Sequence, residues 1–270
     1  MKLSLITATY FRSELLRDRA LPSVLNHSDC EFEWIVVNDG RDAQTRELIQ
    51  SLQLNCSLVY LELEHPSAGF GLCHARNLGL SVATGEWVAY LDDDNAIAPT
   101  FVAETTAFFQ QYPQMQFSMV QQSRRRDIVR NGEIIKQGQP FISPSAGCTP
   151  RDLVQQRELF DSNGFTHRRE NAPHWNPGYR VFVDYEYFLQ CLVQWGSDGF
   201  SVHSDVLVDY VQSSDGVIGR SSYGEWADEL CRLLQGGCDA LTEADVNVLK
   251  QLVQKWHDRE AQNQRISAFN

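Results

Sequence analysis

The chain has 270 residues, and its 35 acidic side chains outnumber its 23 basic ones, which gives a formal net charge of −12. A hydrophobic fraction of 43% and a charged fraction of 21% are those of a globular protein and exclude a disordered one. The acidic balance argues against general nucleic-acid binding, which needs a basic face. A chain of this length can bury enough surface to hold a core without disulfides or a structural metal.

The cysteines and the apolar runs indicate in which cellular compartment the protein is expected. The seven cysteines are scattered and form no Cys-x-x-Cys pair, so neither a zinc ribbon nor a disulfide framework is expected. The apolar run at residues 1–9 is too short for a signal peptide, and no run elsewhere approaches the length of a membrane span. We therefore expect a cytoplasmic protein with no transmembrane segment; its oligomeric state stays open.

Strand and helix patterns alternate through the first hundred residues. Short apolar runs predict strands at residues 3–7, 34–37, 58–61 and 87–91, and helical spacing predicts helices at 14–25, 43–52 and 75–83. Strands separated by helices pair in parallel through right-handed crossovers. The pattern therefore predicts an α/β fold with a mixed, mostly parallel sheet flanked by helices.

The second half of the chain is less regular. Its pattern predicts a helix at 99–112, a strand at 115–121 and a hairpin at 128–135 with an Asn131-Gly132 turn. A long loop at 143–180, with a short helix at 151–160, comes next. The pattern then predicts a helix at 184–195, short strands at 200–202 and 206–211, and helices at 223–234 and 243–259. No linker or internal repeat interrupts it. We expect one domain over residues 1–220, with a helical extension over 221–270 packed on the same domain.

Polar clusters follow three of the predicted strands, at residues 7–10, 38–40 and 92–95. Ligands of parallel sheets bind where the carboxyl ends of the strands meet. In the third cluster Asp92, Asp93 and Asp94 are adjacent, and their mutual repulsion favours a bound cation. Oxygen ligands of this kind suit Mg²⁺ or Mn²⁺. A solvated acidic turn before the next helix is the simpler alternative.

The order and spacing of four motifs carry a family resemblance. These are Thr7–Tyr10, Val37–Gly40, Gly71–Gly79 and Gly85–Asp94. Together they resemble the inverting glycosyltransferases of family 2, which have the Rossmann-like GT-A fold. The resemblance covers residues 3–100 well and implies that 1–100 bind the nucleotide sugar and 101–220 the acceptor. It implies a nucleotide-diphosphate sugar as donor, with UDP favoured, and a saccharide or other small hydroxyl compound as acceptor.

The resemblance also implies which residues bind the donor. Tyr10 would stack on the base, Asp39 would accept a hydrogen bond from a base imide N–H, and Asp94 with Asp92 would ligate Mn²⁺ or Mg²⁺ against the leaving diphosphate. Arg76 would offer a cationic fork to phosphate or sugar oxygens. The full donor-binding set is Thr7, Ala8, Thr9, Tyr10, Asp39, Gly71, Arg76, Asp92 and Asp93. Asp39 as a turn former, Tyr10 as a rim aromatic and Arg76 as an exposed helical arginine remain alternatives.

A weaker match at Phe182–Glu186 implies the catalytic base. Family members place an Asp, usually preceded by Glu, at the start of a helix; here Val183 precedes Asp184. Asp184 is the expected base, with Glu186 as the alternate and a simple helix cap as the alternative role of Asp184. The helix N-terminus is expected to keep the pKa of Asp184 low.

The remaining site expectations concern the rim of the cleft. Many family members carry a His after a late strand, and this chain has none there, so a diphosphate lid is expected from Ser213, Ser214 and Arg220. An acceptor wall is expected from His174, Trp175 and Tyr179, unless that loop is packed by its own aromatics. The run Arg124–Arg126 could recognise an anionic acceptor, although a solvated edge is favoured.

Two other functions stay open. A nucleotidyltransferase on a related α/β scaffold would also use Mg²⁺ at paired carboxylates, but it would need a Gly-rich basic loop directly after strand 1. An inactive sugar-binding relative is disfavoured, because Asp39, Asp92, Asp94 and Asp184 are all present.

Overall fold

One mixed β-sheet organises the chain. The computed structural model describes residues 2–27, 31–53, 56–130 and 132–269, the last five by backbone alone, so Cys30 and Asn131 lie outside it. The described residues form the strands β1 (Leu3–Tyr10), β2 (Phe32–Asp39), β3 (Ser57–Leu63), β4 (Trp87–Tyr90), β5 (Ala96–Ile97), β6 (Phe117–Arg130), β7 (Glu133–Lys136), β8 (Phe141–Ser143), β9 (Phe165–Arg168) and β10 (Phe200–Ser213).

Helices connect and cover these strands. They are α1 (Ser13–Leu15), α2 (Leu21–Leu25), α3 (Ala43–Gln50), α4 (Gly71–Val82), α5 (Phe101–Gln111), α6 (Pro150–Val154), α7 (Val183–Trp195), α8 (Val217–Arg220), α9 (Tyr223–Gly236) and α10 (Glu243–Phe269). A π-helical turn, Leu16–Ala20, joins α1 to α2, and a 3₁₀ turn, Ser197–Gly199, follows α7. Among the described helices, none is long and apolar enough to cross a membrane.

The strand order is β3-β2-β1-β4-β9-β6-β10-β5, with β7 and β8 both paired to β6. The long ladders β1–β2, β2–β3, β1–β4 and β6–β10 are parallel, and β9 is antiparallel to both of its neighbours. This confirms the predicted α/β fold with a mixed, mostly parallel sheet. Because β1 and β2 pair in register up to Tyr10 and Asp39, the polar clusters that follow them meet at one edge.

Both faces of the sheet are buried, as a parallel sheet flanked by helices requires. On one face Val37, Tyr90 and Phe117 pack against α4, α7, α9 and α10. On the other face Val36 and Ala89 pack against the π-helical turn Leu16–Ala20 and against α2, α3 and α5. The C-terminal helices share the first core, since Trp256 of α10 contacts Phe182 and Trp226. The boundary at residue 220 stays a prediction.

Several predicted elements differ from the structure. β6 and β10 are each one continuous strand, where the sequence predicted shorter, separate pieces. Within the predicted loop at 143–180, the expected short helix is α6, which ends at Val154. The central strand β9 was not predicted, because its buried Thr166 and His167 give no hydrophobic alternation. Polar residues in a central strand are stabilised by contacts that are distant in sequence, so a local pattern cannot identify them. Cys73, Cys148, Cys191, Cys231 and Cys238 are free thiols.

Candidate active site

A cleft of about 470 Å³ opens at the carboxyl edge of the sheet. The ends of β1, β2 and β4 form its floor, and the start of α7 and the end of β10 form its walls. It gathers most of the side chains that the sequence analysis selected as donor-binding or catalytic. Those that line it are Ala8, Thr9, Tyr10, Asp39, Gly71, Asp92, Asp93, Asp94, Asp184 and Ser213.

Asp39 closes one end of the cleft. Its Oδ2 lies 2.9 Å from Nδ1 of His65, and its buried Oδ1 has no hydrogen-bond partner among the described residues. Tyr10 stacks on the His65 ring with centroids 4.3 Å apart and is 46% exposed. His65 was missed, although it follows β3 as the other clusters follow β1 and β2. This end therefore presents an unpaired acceptor beside an exposed aromatic ring.

Gly71 begins α4 directly beneath Asp39. A Cβ at this position would overlap Oδ2 of Asp39 and would come within 2.9 Å of Cε1 of His65. Glycine therefore allows the N-terminus of α4 to approach the Asp39 carboxylate more closely than any residue with a side chain could.

The acidic triplet divides its carboxylates among different partners. Asp92 accepts from Nδ2 of Asn163 at 2.8 Å, and its amide donates to Oδ1 of the same residue at 2.7 Å. Asp93 is buried and accepts from the Thr9 hydroxyl at 2.8 Å. Arg12 pairs with Asp93 at 3.0 Å and with Asp94 at 2.5 Å. The triplet is thus held in place from three directions.

Burial and crowding disfavour full ionisation of this triplet. Burial raises the pKa of Asp93 to about 7; the nearby Arg12 charge lowers it and the Asp94 charge raises it further. Burial likewise raises the pKa of Asp94, with Arg12 acting against the shift. Additional positive charge in the cleft would therefore stabilise the ionised forms.

Arg76 lies beneath the cleft floor. It is 2% exposed, and its guanidinium donates to Asp92 and to Asp184, each at 2.8 Å. The guanidinium also lies 4.3 Å over the Trp175 ring. The expectation that Arg76 faces a phosphate is corrected here, because both arms of its fork are occupied by carboxylates.

Asp184 is the second residue of α7 and opens onto the cleft, with its side chain 26% exposed. Burial raises its pKa, and the Arg76 charge offsets part of that shift. The prediction of a low pKa was wrong, because the loss of solvation outweighs the favourable charge. Glu186 lies outside the cleft lining, bonded to Gln190 at 2.6 Å, and burial raises its pKa too.

The C-terminal helices hold the segment that leads to Asp184. Glu229 of α9 accepts hydrogen bonds from the amides of Arg180, Val181 and Phe182 at 3.0, 2.8 and 2.9 Å. Arg180 and Val181 themselves line the cleft. The extension therefore fixes the wall on which the carboxylate of Asp184 stands.

Of the three residues expected to form a lid, one lines the cleft and two do not. Ser213, Gly216 and Val217 line the cleft. Ser214 instead bonds the β6 backbone, accepting from the Val129 amide at 2.8 Å. Arg220 is exposed at the end of α8 and does not line the cleft.

The expected acceptor wall is corrected by the structure. Trp175 is 1% exposed and stacks on Tyr187 at 3.8 Å, so its face is not open to a sugar. Tyr179 is half-buried under the Arg232 guanidinium, and His174 is exposed outside the cleft. Thr7 is also buried, accepting from Nε1 of Trp34 at 2.9 Å, and supports the floor rather than lining it.

The structure adds residues that the sequence analysis did not select. Arg12 follows the end of β1 by two positions, so the reasoning that selected the polar residues after each strand could also have selected it. Tyr210, Gln212 and Asn163 reach the site from β10 and from the turn before β9, and no local motif marks them. The Arg124–Arg126 run also separates: Arg124 is buried against Asp161, whereas Arg126 is exposed.

The comparisons with known proteins assign the family. The profile of Glycosyl transferase family 2 matches residues 4–181, more than half of the chain. The chain belongs to glycosyl transferase family 2. It is 32% identical over 121 residues to an uncharacterized glycosyltransferase of Mycoplasma genitalium, a match that covers 43% of this chain and 38% of that protein. The chain spans 33% and 11% of the length of two further curated relatives.

Solved structures show the same fold. Staphylococcus aureus TarS 1-349 in complex with UDP-GlcNAc superposes with a TM-score of 0.67 at 20% identity, covering 95% of this chain and 72% of that one. A mannosyltransferase from Pyrobaculum calidifontis in complex with GDP-Man and Mn²⁺ gives a TM-score of 0.58 at 15% identity, covering 93% of this chain and 69% of that one. The GT-A fold predicted from the sequence is confirmed.

A divalent cation is common in this family, and the carboxylate oxygens that line the cleft could ligate one. Within the described residues, no cluster of three His, Cys, Asp or Glu side chains is arranged to hold a metal. Each oxygen of Asp92 accepts one hydrogen bond, from Arg76 or Asn163, and each oxygen of Asp94 accepts one, from Arg12 or Asn95. Every one of these oxygens therefore keeps a lone pair for a cation. Asp94 opens onto the cleft with its side chain 24% exposed. The residues therefore fit a metal bound by one carboxylate and completed by phosphate oxygens and water, the usual Mg²⁺ arrangement.

Proposed function

We propose that the chain is an inverting, divalent-metal-dependent glycosyltransferase that moves a sugar from a nucleotide-diphosphate sugar, UDP favoured, to a hydroxyl acceptor. The observation that carries the proposal is the shared anchor of Asp92 and Asp184: Arg76 bonds both carboxylates at 2.8 Å, beneath one cleft. A donor-side carboxylate and a base are thereby held at a fixed separation, as direct displacement requires.

The Asp39 end of the cleft would recognise the base of the nucleotide. The unpartnered Oδ1 of Asp39 is placed to accept the imide N–H of uracil, and a buried acceptor left unpaired is costly without a ligand. The exposed ring of Tyr10, supported from behind by His65, offers a stacking face. These two groups support UDP as the nucleotide.

The leaving diphosphate would bind near Asp94. Five carboxylates, those of Asp39, Asp92, Asp93, Asp94 and Asp184, outnumber three guanidinium groups, those of Arg12, Arg180 and the buried Arg76. An added diphosphate would be repelled by this excess of negative charge. A divalent cation held by Asp94 would supply the positive charge that stabilises the leaving group.

The transfer step falls to Asp184. Its carboxylate takes the proton of the acceptor hydroxyl while the new oxygen–anomeric carbon bond forms and the bond from that carbon to the diphosphate oxygen breaks. The raised pKa makes this carboxylate a stronger base than an ordinary aspartate. Attack opposite the leaving group inverts the anomeric centre. A saccharide is the favoured acceptor.

The test is a panel of nucleotide sugars incubated with the full chain, with Mn²⁺, with Mg²⁺ or with chelator, and with and without saccharide acceptors. We expect nucleoside diphosphate release from UDP-sugars that depends on the metal, and a product whose anomeric configuration, read by NMR, is opposite to that of the donor. Pyrophosphate release from a nucleoside triphosphate would instead indicate a nucleotidyltransferase. Tight UDP binding with no turnover of any donor would indicate an inactive sugar-binding relative.

A further inference from the structure

An apolar hairpin projects beside the cleft. We define the hairpin as residues 126–136, the end of β6 together with β7, and Asn131 within it lies outside the described residues. Ile128, Ile134 and Ile135 are between 45% and 59% exposed, and Phe141 and Ile142 of the adjoining β8 are exposed as well. Ile134 and Ile135 are consecutive in β7, so aliphatic surface is exposed on both faces of the hairpin. Single exposed aliphatic side chains are ordinary, but several on one short hairpin are typical of an interaction surface.

The hairpin carries the opposite charge to the chain as a whole. Arg126, Arg130 and Lys136 are exposed on it, and Lys136 pairs in register with Ile128. Of its acidic residues, Asp127 is buried and paired with Arg125 at 3.2 Å, which leaves Glu133 as the exposed acid of the described hairpin. A local cationic excess on an apolar ribbon contrasts with the net charge of −12.

The hairpin begins at the rim of the cleft. Asp127 pairs in register with Ser213, and the Ser214 amide donates to the Asp127 carbonyl at 2.9 Å. Ser213 and Gly216 line the cleft itself. Whatever the hairpin contacts therefore lies next to the mouth of the cleft.

We propose that the hairpin docks the protein on an anionic lipid surface. Isoleucine side chains enter the interfacial layer and the three cations meet lipid phosphates, the combination that binds peripheral proteins to membranes. A second copy of the chain is the poorer occupant, because it would bring two cationic hairpins together. Docking in this orientation presents the cleft to an acceptor held at the membrane surface.

The test is co-sedimentation of the full chain with vesicles of phosphatidylcholine alone or mixed with phosphatidylglycerol, without donor or acceptor. We expect binding to the anionic vesicles that weakens with salt. Each cation near the surface contributes about fivefold in affinity. The triple variant Arg126→Gln/Arg130→Gln/Lys136→Gln is therefore expected to bind about 10²-fold more weakly. The double variant Ile134→Ser/Ile135→Ser is expected to lose binding to a similar degree. Val193→Ser, which removes an aliphatic side chain 52% exposed on α7, is the matched control and should bind as the wild type does.

Circular dichroism and the midpoint of thermal unfolding establish that each variant is folded, and the charge variant leaves the apolar residues intact. Equal binding to neutral and anionic vesicles, or unchanged binding of both hairpin variants, overturns the proposal. So does a wild-type chain that binds no vesicle. A dimer in light scattering that is lost in Ile134→Ser/Ile135→Ser would assign the surface to a second copy instead. None of these results depends on glycosyl transfer, so the two proposals fail separately.

Discussion

The guanidinium of Arg76 donates to the carboxylate of Asp184 at 2.8 Å from a position where the arginine is almost fully buried. A buried guanidinium can keep its charge here because carboxylates satisfy both arms of its fork and an aromatic ring covers its face. The pair therefore fixes one rotamer of Asp184 at the cleft wall.

Asp184→Asn should reduce the rate of sugar transfer by about 10²- to 10⁴-fold, the usual contribution of a general base. The amide oxygen can still accept from Arg76, so the fold and UDP affinity should be retained. Steady-state kinetics and calorimetric titration with UDP measure the two quantities. Asp228→Asn, an exposed aspartate on α9, is the matched control. Wild-type turnover by Asp184→Asn would remove this residue from the proposed role.

The pH dependence follows from the raised pKa of Asp184. The ionised carboxylate is the active form, so the transfer rate should fall as the pH is lowered through this pKa. The midpoint of that acidic limb should lie above the ordinary aspartate value of about 3.9. A profile of kcat against pH measures it, and the residual activity of Asp184→Asn should lack the limb. A midpoint at the ordinary value would contradict the assignment.

Gly71→Ala should weaken UDP binding by about tenfold or more, because its new Cβ displaces the Asp39 carboxylate that is proposed to pair with the base. Calorimetric titration with UDP gives the affinity. Gly236→Ala, at the end of α9, places its Cβ where no described atom lies within 4 Å and serves as the matched control. Equal affinities of the two variants would show that the base binds elsewhere.

Asp94→Asn should abolish most of the increase in UDP affinity that Mn²⁺ produces, since the proposed metal has this one carboxylate as its protein ligand. Titrations with UDP in the presence of Mn²⁺ and in the presence of chelator measure the increase. Asp228→Asn, an exposed aspartate on α9, is the control. If the metal-dependent increase survives in Asp94→Asn, the cation is held by other groups.

Trp175 should behave as a core residue rather than as an acceptor subsite. Trp175→Ala should lower the free energy of unfolding by about 3–5 kcal/mol, the usual cost of deleting a buried aromatic ring. Trp175→Phe should retain the fold and leave the KM for the acceptor unchanged. Urea unfolding and acceptor kinetics check the two variants. A selective rise in acceptor KM for Trp175→Phe would restore the sugar-stacking role.

The local sequence determined the elements and the polar clusters that follow them. The runs that form β1, β2 and β4 are buried on both faces, so most of their residues are apolar, and polar residues follow each run. Because these strands are parallel, Tyr10, Asp39 and Asp94 had to meet at one edge. Strand direction alone is enough to bring such clusters together.

Tertiary structure decided how each of these side chains is used. Arg76 became a buried anchor because α7 brings Asp184 against it, 108 positions away along the chain. Trp175 became core because Tyr187 stacks on it, and Asn163 became a partner of Asp92 through a turn that precedes β9. A local pattern reports the period and the ends of an element. Burial, pKa and partner choice depend on contacts between distant segments, which no local pattern contains.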